Sequence, residues 1–386
     1  MRTWEQKYPL AEGAGVYIHQ HAGPVQIVGS RTLEVNVTAS CKEEVDFGEF
    51  LEIQQTGKGL VIEVKSRRWS WAGTPAVRLD VIVPESTTCS VESGSGSVEV
   101  TGTSAPVRIE TGSGDVKIAS VGQTAIETGS GAVQGWRING SVSAETGSGT
   151  VEFREVNGAL SLDVGSGAVS ARQINGDLRV DTGSGSLLVE EVGGRVELDT
   201  GSGGVSVRRV HGSSLTVNTG GGSMQLREID VAQLAVDASS GGVDAELAQV
   251  YPGGSYVITT GSGGVTVALP PNADLSVRAD APSGRVSHSG LNLRVVHEGA
   301  GEFEAVMGQG RARLTLEAGS GGVRLLPYAG AGLSEAGARV VESVKDDPAL
   351  ESSDQLRRIV KMVEEGKLTP QEALELLRAL DEEEPA

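Results

Sequence analysis

Between about residue 91 and residue 326, apolar and polar positions alternate in short bursts punctuated by glycine. Residues 165–182 show one full unit. Gly165-Ser166-Gly167 is followed by Val169 and Ala171 alternating with Ser170 and Arg172. Ile174-Asn175-Gly176 comes next, then Leu178 and Val180 alternating with Arg179 and Asp181. Period-two alternation on both sides of a glycine turn predicts two short strands, each with one inward face. The same plan is legible at Val156-Asn157-Gly158 and Val192-Gly193-Gly194. Glycine at the bends supplies backbone conformations closed to other residues, so successive turns can stack.

The phrase before each bend recurs: Thr111-Gly112-Ser113-Gly114, Thr128-Gly129-Ser130-Gly131, Thr146-Gly147-Ser148-Gly149, then at Val164, Thr182, Thr200, Thr219 and Thr260, with degenerate copies at Ala238, Ala281, Glu298 and Ala318. Its spacing is mostly about 17 to 19 residues and stretches to about 22 around Tyr251. A fixed period of this size marks a solenoid, whose units bury apolar surface only against their neighbours. The expected fold is therefore all-β: a parallel β-solenoid of about thirteen two-strand coils, roughly 60 Å long at about 4.8 Å per coil. Thr111, Thr128, Thr146, Thr182 and Thr200 are expected to face inward, with their hydroxyls bonding the turn backbone.

Residues 1–90 lack the period and show strand patterns at Gly15–His19, Leu33–Thr38, Leu51–Gln54, Leu60–Lys65 and Val77–Val83. An open solenoid end exposes unpaired strand edges, so this segment is expected to be an N-terminal β cap. Residues 91–326 are the repeats and 327–347 read as a linker. Residues 348–386 read as a small acidic helical hairpin. Ser352 with Gln355 makes a capping-box start, and Leu356, Ile359, Val360 and Val363 form one stripe that ends at Gly366. Thr369-Pro370-Gln371-Glu372 opens the second helix, with Leu374, Leu377 and Leu380 on its inner face. Two such helices bury too little surface to stand alone, so these seven apolar residues are the expected contact with a protein partner or a second copy.

The recurrent GSG-x-V turn, the preceding Leu79-Asp80-Val81-Ile82-Val83-Pro84 and the first coil at Ser93-Gly94-Ser95-Gly96 resemble the bacterial putative-adhesin or toast-rack β-strand-repeat family, a domain of unknown function. The resemblance covers most of residues 14–326. Leu356 to Leu380 is similar to the short SHOCT-like helical module that accompanies the domain in some members. What the resemblance implies is the solenoid fold, protein contacts through the module, a setting in envelope-stress systems, and no particular chemistry.

A formal charge of -19 repels nucleic acid and anionic membrane surfaces, and the nearest thing to a basic patch is Lys65, Arg67 and Arg68. Neither a signal peptide nor an anchor is evident at the N-terminus, and no run of about 18 apolar residues occurs, so the expected compartment is the cytoplasm, with envelope association only through a partner. Cys41 and Cys89 are too few for a disulfide framework or a zinc site; they read as part-buried thiols, one bridge between them staying open.

A carboxylate precedes each turn: Glu92, Glu110, Glu127, Glu145, Asp163, Asp181 and Asp199, then Asn218, Asp237, Asp280 and Glu317. In register, these form an acidic edge column able to hold cations or a basic partner, or serving only solubility. Arg137, Arg154, Arg172, Arg208 and Arg227, interrupted by Glu190, are expected to form an opposing basic column. The position two after the second glycine is Val116, Val133, Val151 or Val169, so the ligand Asp of calcium β-rolls is missing. His19 and His21 share a strand face as an edge pair; His211, His288 and His297 fall in different coils. No phosphate loop and no nucleophile elbow occur. Trp69 and Trp71 are either a recognition patch or a cover for the first coil. The expected function is thus a non-enzymatic scaffold without cofactors. An exported adhesin or glycan-binding protein is the alternative, and a solenoid carbohydrate-active enzyme using Asp163 or Asp181 stands behind it.

Overall fold

The computed structural model describes residues 2–42, 46–65 and 76–328. Arg67, Arg68, Trp69, Trp71 and the helical hairpin with its seven apolar contact residues lie outside them. The described residues form a nearly all-β parallel solenoid. Leu178–Ser184, the strand before one GSG turn, pairs in parallel with Leu160–Ser166 on one side and Val196–Ser202 on the other. After the turn, Leu187–Val192 pairs with Val169–Ile174 and Val205–Thr219. The two strands of a coil therefore join two different stacks, which face each other across one continuous core of Val, Leu, Ile and Ala. The threonines before the turns are buried. Thr128, Thr146, Thr182 and Thr200 donate their hydroxyls to the carbonyl of the serine two residues on, at 3.2–3.4 Å. Thr111 Oγ1 has no partner.

The GSG turn has to be glycine because coils touch there through their backbones. Gly167 sits at φ +138°, and a Cβ on it would lie 1.9 Å from the carbonyl oxygen of Gly149. The second bend works differently from the simple alternation expected. Val169 and Ala171 point inward, then Arg172 and Gln173 both point outward before Ile174 returns to the core. Gln173 makes this possible at φ +56°, and Ser120, Arg137, Glu155, Glu191, Arg209 and Glu228 repeat it at φ 52–58°. A left-handed non-glycine residue costs about 1–2 kcal/mol, which the burial of the following apolar side chain offsets.

The N-terminal segment contains β1 (Arg2–Pro9), β2 (Gly15–Ala22), β3 (Val25–Ser30), β4 (Glu34–Cys41), the one-turn helix α1 (Phe47–Phe50), β5 (Leu51–Thr56), β6 (Gly59–Val64) and β7 (Arg78–Pro84), and leads into β8 (Cys89–Ser95) and β9 (Val98–Thr101). The strands β1 and β3 lie outside those expected from the sequence, although Val25 and Ile27 alternate around Gln26. Spatial order departs from chain order. β2 and β3 pair in parallel with β8 and β9, making a coil of the stack, while β6 and β7 pair on their outer side. Beyond these, β5 runs antiparallel to β6, β4 antiparallel to β7, and β1 antiparallel to β4.

The far end repeats the device. Ala312–Ala318 and Val323–Pro327 are inserted between Ser255–Ser262 and Val265–Leu269 on one side and the earlier Leu275–Asp280 and Val286–His288 on the other. Glu298, expected at a coil turn, instead ends Arg294–Glu298, which runs antiparallel to Glu302–Met307. Antiparallel strands thus close both ends, and neither the first nor the last coil in space is the first or last in sequence.

Candidate functional site

The carboxylates before the GSG turns stand in strict register on the outer face of one sheet. Glu92 is opposite Glu110, then Glu127, Glu145, Asp163, Asp181, Asp199, Asn218 and Asp237 follow coil by coil. Thr259 interrupts, after which Glu317 and Asp280 continue the column. At the near end His19 stands between Glu63 and Glu92, its Nδ1 3.0 Å from a Glu92 carboxylate oxygen. Parallel strands about 4.8 Å apart hold these like charges in mutual repulsion, on the order of 1 kcal/mol per neighbour in solvent.

Only part of the row is neutralised. Arg108 donates to Glu110 at 2.6 Å and to Glu127 at 2.9 Å. Arg179 pairs with Glu197 at 2.5 Å and faces Asp181 and Asp199 at longer range; these carboxylates hold its guanidinium above its ordinary pKa. Glu145 and Asp163, between these clusters, have neither an ion pair nor a side-chain hydrogen bond among the described residues. The column forms a ridge between two depressions. A groove of about 820 Å³ lies toward the turns, where Gly94, Gly112, Gly129 and Gly147 leave the backbone bare. A trough of about 470 Å³ lies on the other side, where Ala125, Ser143 and Ser161 line the wall.

The opposing basic row stands in register from Arg154 to Arg227, broken at Glu190, but does not include Arg137. Arg154 and Arg172 are in register, followed by Glu190, Arg208 and Arg227, whereas Arg137 is offset by one and Trp136 takes its place. Arg137 occupies the left-handed corner position instead. The arginines here are consumed by neighbouring carboxylates. Arg154 pairs with Glu152, Arg172 lies 3.7 Å from Glu190, Arg209 bonds Glu191 at 2.9 Å and also Glu190, and Arg227 bonds Asp244 at 2.9 Å and also Glu246. One sheet thus carries surplus negative charge, and the other is internally balanced along this row.

Neighbouring coils also bring together a set that sequence spacing did not flag. His211 Nδ1 is 3.1 Å from Asp230, and the Tyr251 hydroxyl donates to the same carboxylate at 2.6 Å, which pushes the phenol pKa up. Tyr256 accepts from the Tyr251 backbone N–H at 3.0 Å and donates to the Val231 carbonyl at 3.2 Å. The set pins the long connection around Tyr251, the place where the repeat stretches. The signal available in sequence was that stretch together with two tyrosines in an aromatic-poor chain.

Among the described residues no cluster of His, Cys, Asp and Glu is arranged to hold a metal ion, and no helix is long and apolar enough to cross a membrane. Cys41 and Cys89 are both buried free thiols.

Residues 155–326 match the family model of the Toastrack DUF4097, and residues 354–385 that of a SHOCT-like domain. No curated protein matches the chain. Similar solved structures include a putative cell adhesion protein from Clostridium sporogenes, at 12% identity over 84% of this chain and 100% of that one, with a TM-score of 0.18. A putative adhesin from Bacteroides fragilis is 9% identical over 84% and 97%, with a TM-score of 0.24. A putative lipid binding protein from Parabacteroides distasonis is 13% identical over 84% and 96%, with a TM-score of 0.23.

Proposed function

We propose that this chain, whose residues 155–326 match the Toastrack family model, is a non-enzymatic interaction scaffold in which a rigid solenoid displays an acidic ridge and the C-terminal hairpin recruits a protein partner or a second copy. The observation that carries the reading is the unneutralised stretch of the ladder at Glu145 and Asp163, set in a row of like charges while the arginines of the opposite face are spent on their own neighbours. Folding gains nothing from such a row, so a ligand with matching cationic groups is its natural complement. The same repetition argues against a glycosidase. Neighbouring carboxylates about 5 Å apart match a retaining pair in spacing, but Glu127, Glu145, Asp163, Asp181 and Asp199 are all exposed, so burial sets none apart as the acid beside a nucleophile. The family resemblance supports an envelope-stress setting, with the rod brought to the envelope by its partner.

The test is affinity capture from the native cell with full-length protein, protein lacking residues 348–386, and full-length protein carrying Glu145→Gln and Asp163→Asn. Loss of a common partner on tail deletion, and its weakening with rising salt or on neutralisation of the two rungs, is the expected result. Identical capture by all three forms would sink the reading.

A further inference from the structure

We propose that β1 is an interface strand, pairing antiparallel with β1 of a second copy so that two rods join at their N-terminal ends. This rests on the strand itself and not on the acidic ridge or the hairpin. β1 is hydrogen-bonded to β4 along its whole length, from Arg2 opposite Cys41 to Pro9 opposite Glu34. On its other side no strand pairs with it among the described residues, leaving a row of backbone donors and acceptors open at the end of the stack. Among the described residues the other terminal edges are shorter: Leu51–Thr56, paired only with β6, has six residues, Val286–His288 has three, and Arg294–Glu298 has five with a register irregularity between Val295 and His297. β1 runs eight residues without one.

Its side chains are complementary to their own two-fold copy. In an antiparallel pair opposed residues must both be hydrogen-bonded or both not, so a symmetric pairing centres on a residue. Centred on Gln6, it sets Glu5 opposite Lys7 of the second copy twice over on the solvent face. On the core face the same register sets Trp4 opposite the second copy's Tyr8, both half-buried in the single chain and packed against its core. Moving the centre to Glu5 or to Lys7 puts like charges face to face. One register is therefore favoured on both faces at once, and the edge lysine that would ordinarily discourage pairing meets a carboxylate. Asn36 donates to one Glu5 oxygen at 2.9 Å, leaving the other for the lysine. Pro9, without an N–H, falls opposite Thr3 at the margin.

The test is sedimentation equilibrium of the full chain, with circular dichroism confirming the fold of each variant. Wild type is expected to dimerise in the micromolar range. Lys7→Glu and Glu5→Lys, each turning two attractions into two repulsions, are expected to raise the dissociation constant at least about tenfold. The double variant Glu5→Lys/Lys7→Glu is expected to restore it. A wild type that stays monomeric, a dimer indifferent to the single reversals, or a double variant no tighter than the singles overturns the proposal; indifference would place self-association on another surface, such as the hairpin.

Discussion

Gln173 carries a corner of the coil at a positive φ without being glycine. A β-branched side chain tolerates that conformation worst. Gln173→Val is expected to lower stability by about 1–2 kcal/mol and Gln173→Gly to leave it unchanged or raise it slightly, measured by urea denaturation. Nothing in the sequence marks the position, because the residue there varies from Ser to Arg to Glu and the strain comes from the geometry of the bend. The threonines were legible, since a β-branched polar residue recurring before a glycine turn has an obvious backbone acceptor. Cys89 adds a pH signature. Burial pushes its thiol from an ordinary 9.0 up to about 12. The folded state therefore holds the proton more tightly than the unfolded one, and this contribution is intact below pH 9 and lost as pH rises toward 12. Stability should fall there by about 1.4 kcal/mol per pH unit from this group, and at pH 8 the native thiol should resist alkylation until denaturant is added.

Strands, turns and the alternating inner faces could be predicted because each is local, but packing between neighbouring coils could not. Phe153 is fully buried among coils filled by smaller residues, and its ring occupies space vacated by its neighbours in register, Gly135 and Ala171. A Cβ on Gly135 would lie 2.5 Å from that ring. Gly135→Val should therefore be strongly destabilising alone, and Phe153→Ala should cost about 3–5 kcal/mol. Combining Gly135→Val with Phe153→Val, which restores the valine column of nearby coils, should recover much of the loss, as read by the melting temperatures of the three variants. The basic row lost one expected member for a related reason: Arg137 sits at the left-handed corner, one residue out of line with Arg154. The strands that carry the carboxylates before the GSG turns have no such corner, and those residues stay in register.

At the scale of the whole molecule, the ladder and a net charge of -19 over the full chain make self-repulsion a property of the protein. Raising salt from about 10 mM to about 150 mM should raise the melting temperature, because the screening length shrinks from about 30 Å to about 8 Å. Asp163→Asn with Asp181→Asn should raise it at low salt and blunt the salt response, as calorimetry would show. The solenoid was legible from its period; the interleaving at both ends was not, since it depends on which edge each strand joins and not on what the strand contains. That interleaving decides how the rod bears a load. The chain leaves toward its C-terminus from Val323–Pro327, a strand zipped on both flanks, to Val265–Leu269 and to Val286–His288. Tension arriving through the tail therefore meets two rows of hydrogen bonds at once, and the outermost layer works like a wedge driven in behind the point of attachment, resisting the peeling that would undo a stack whose last turn was also its last residue.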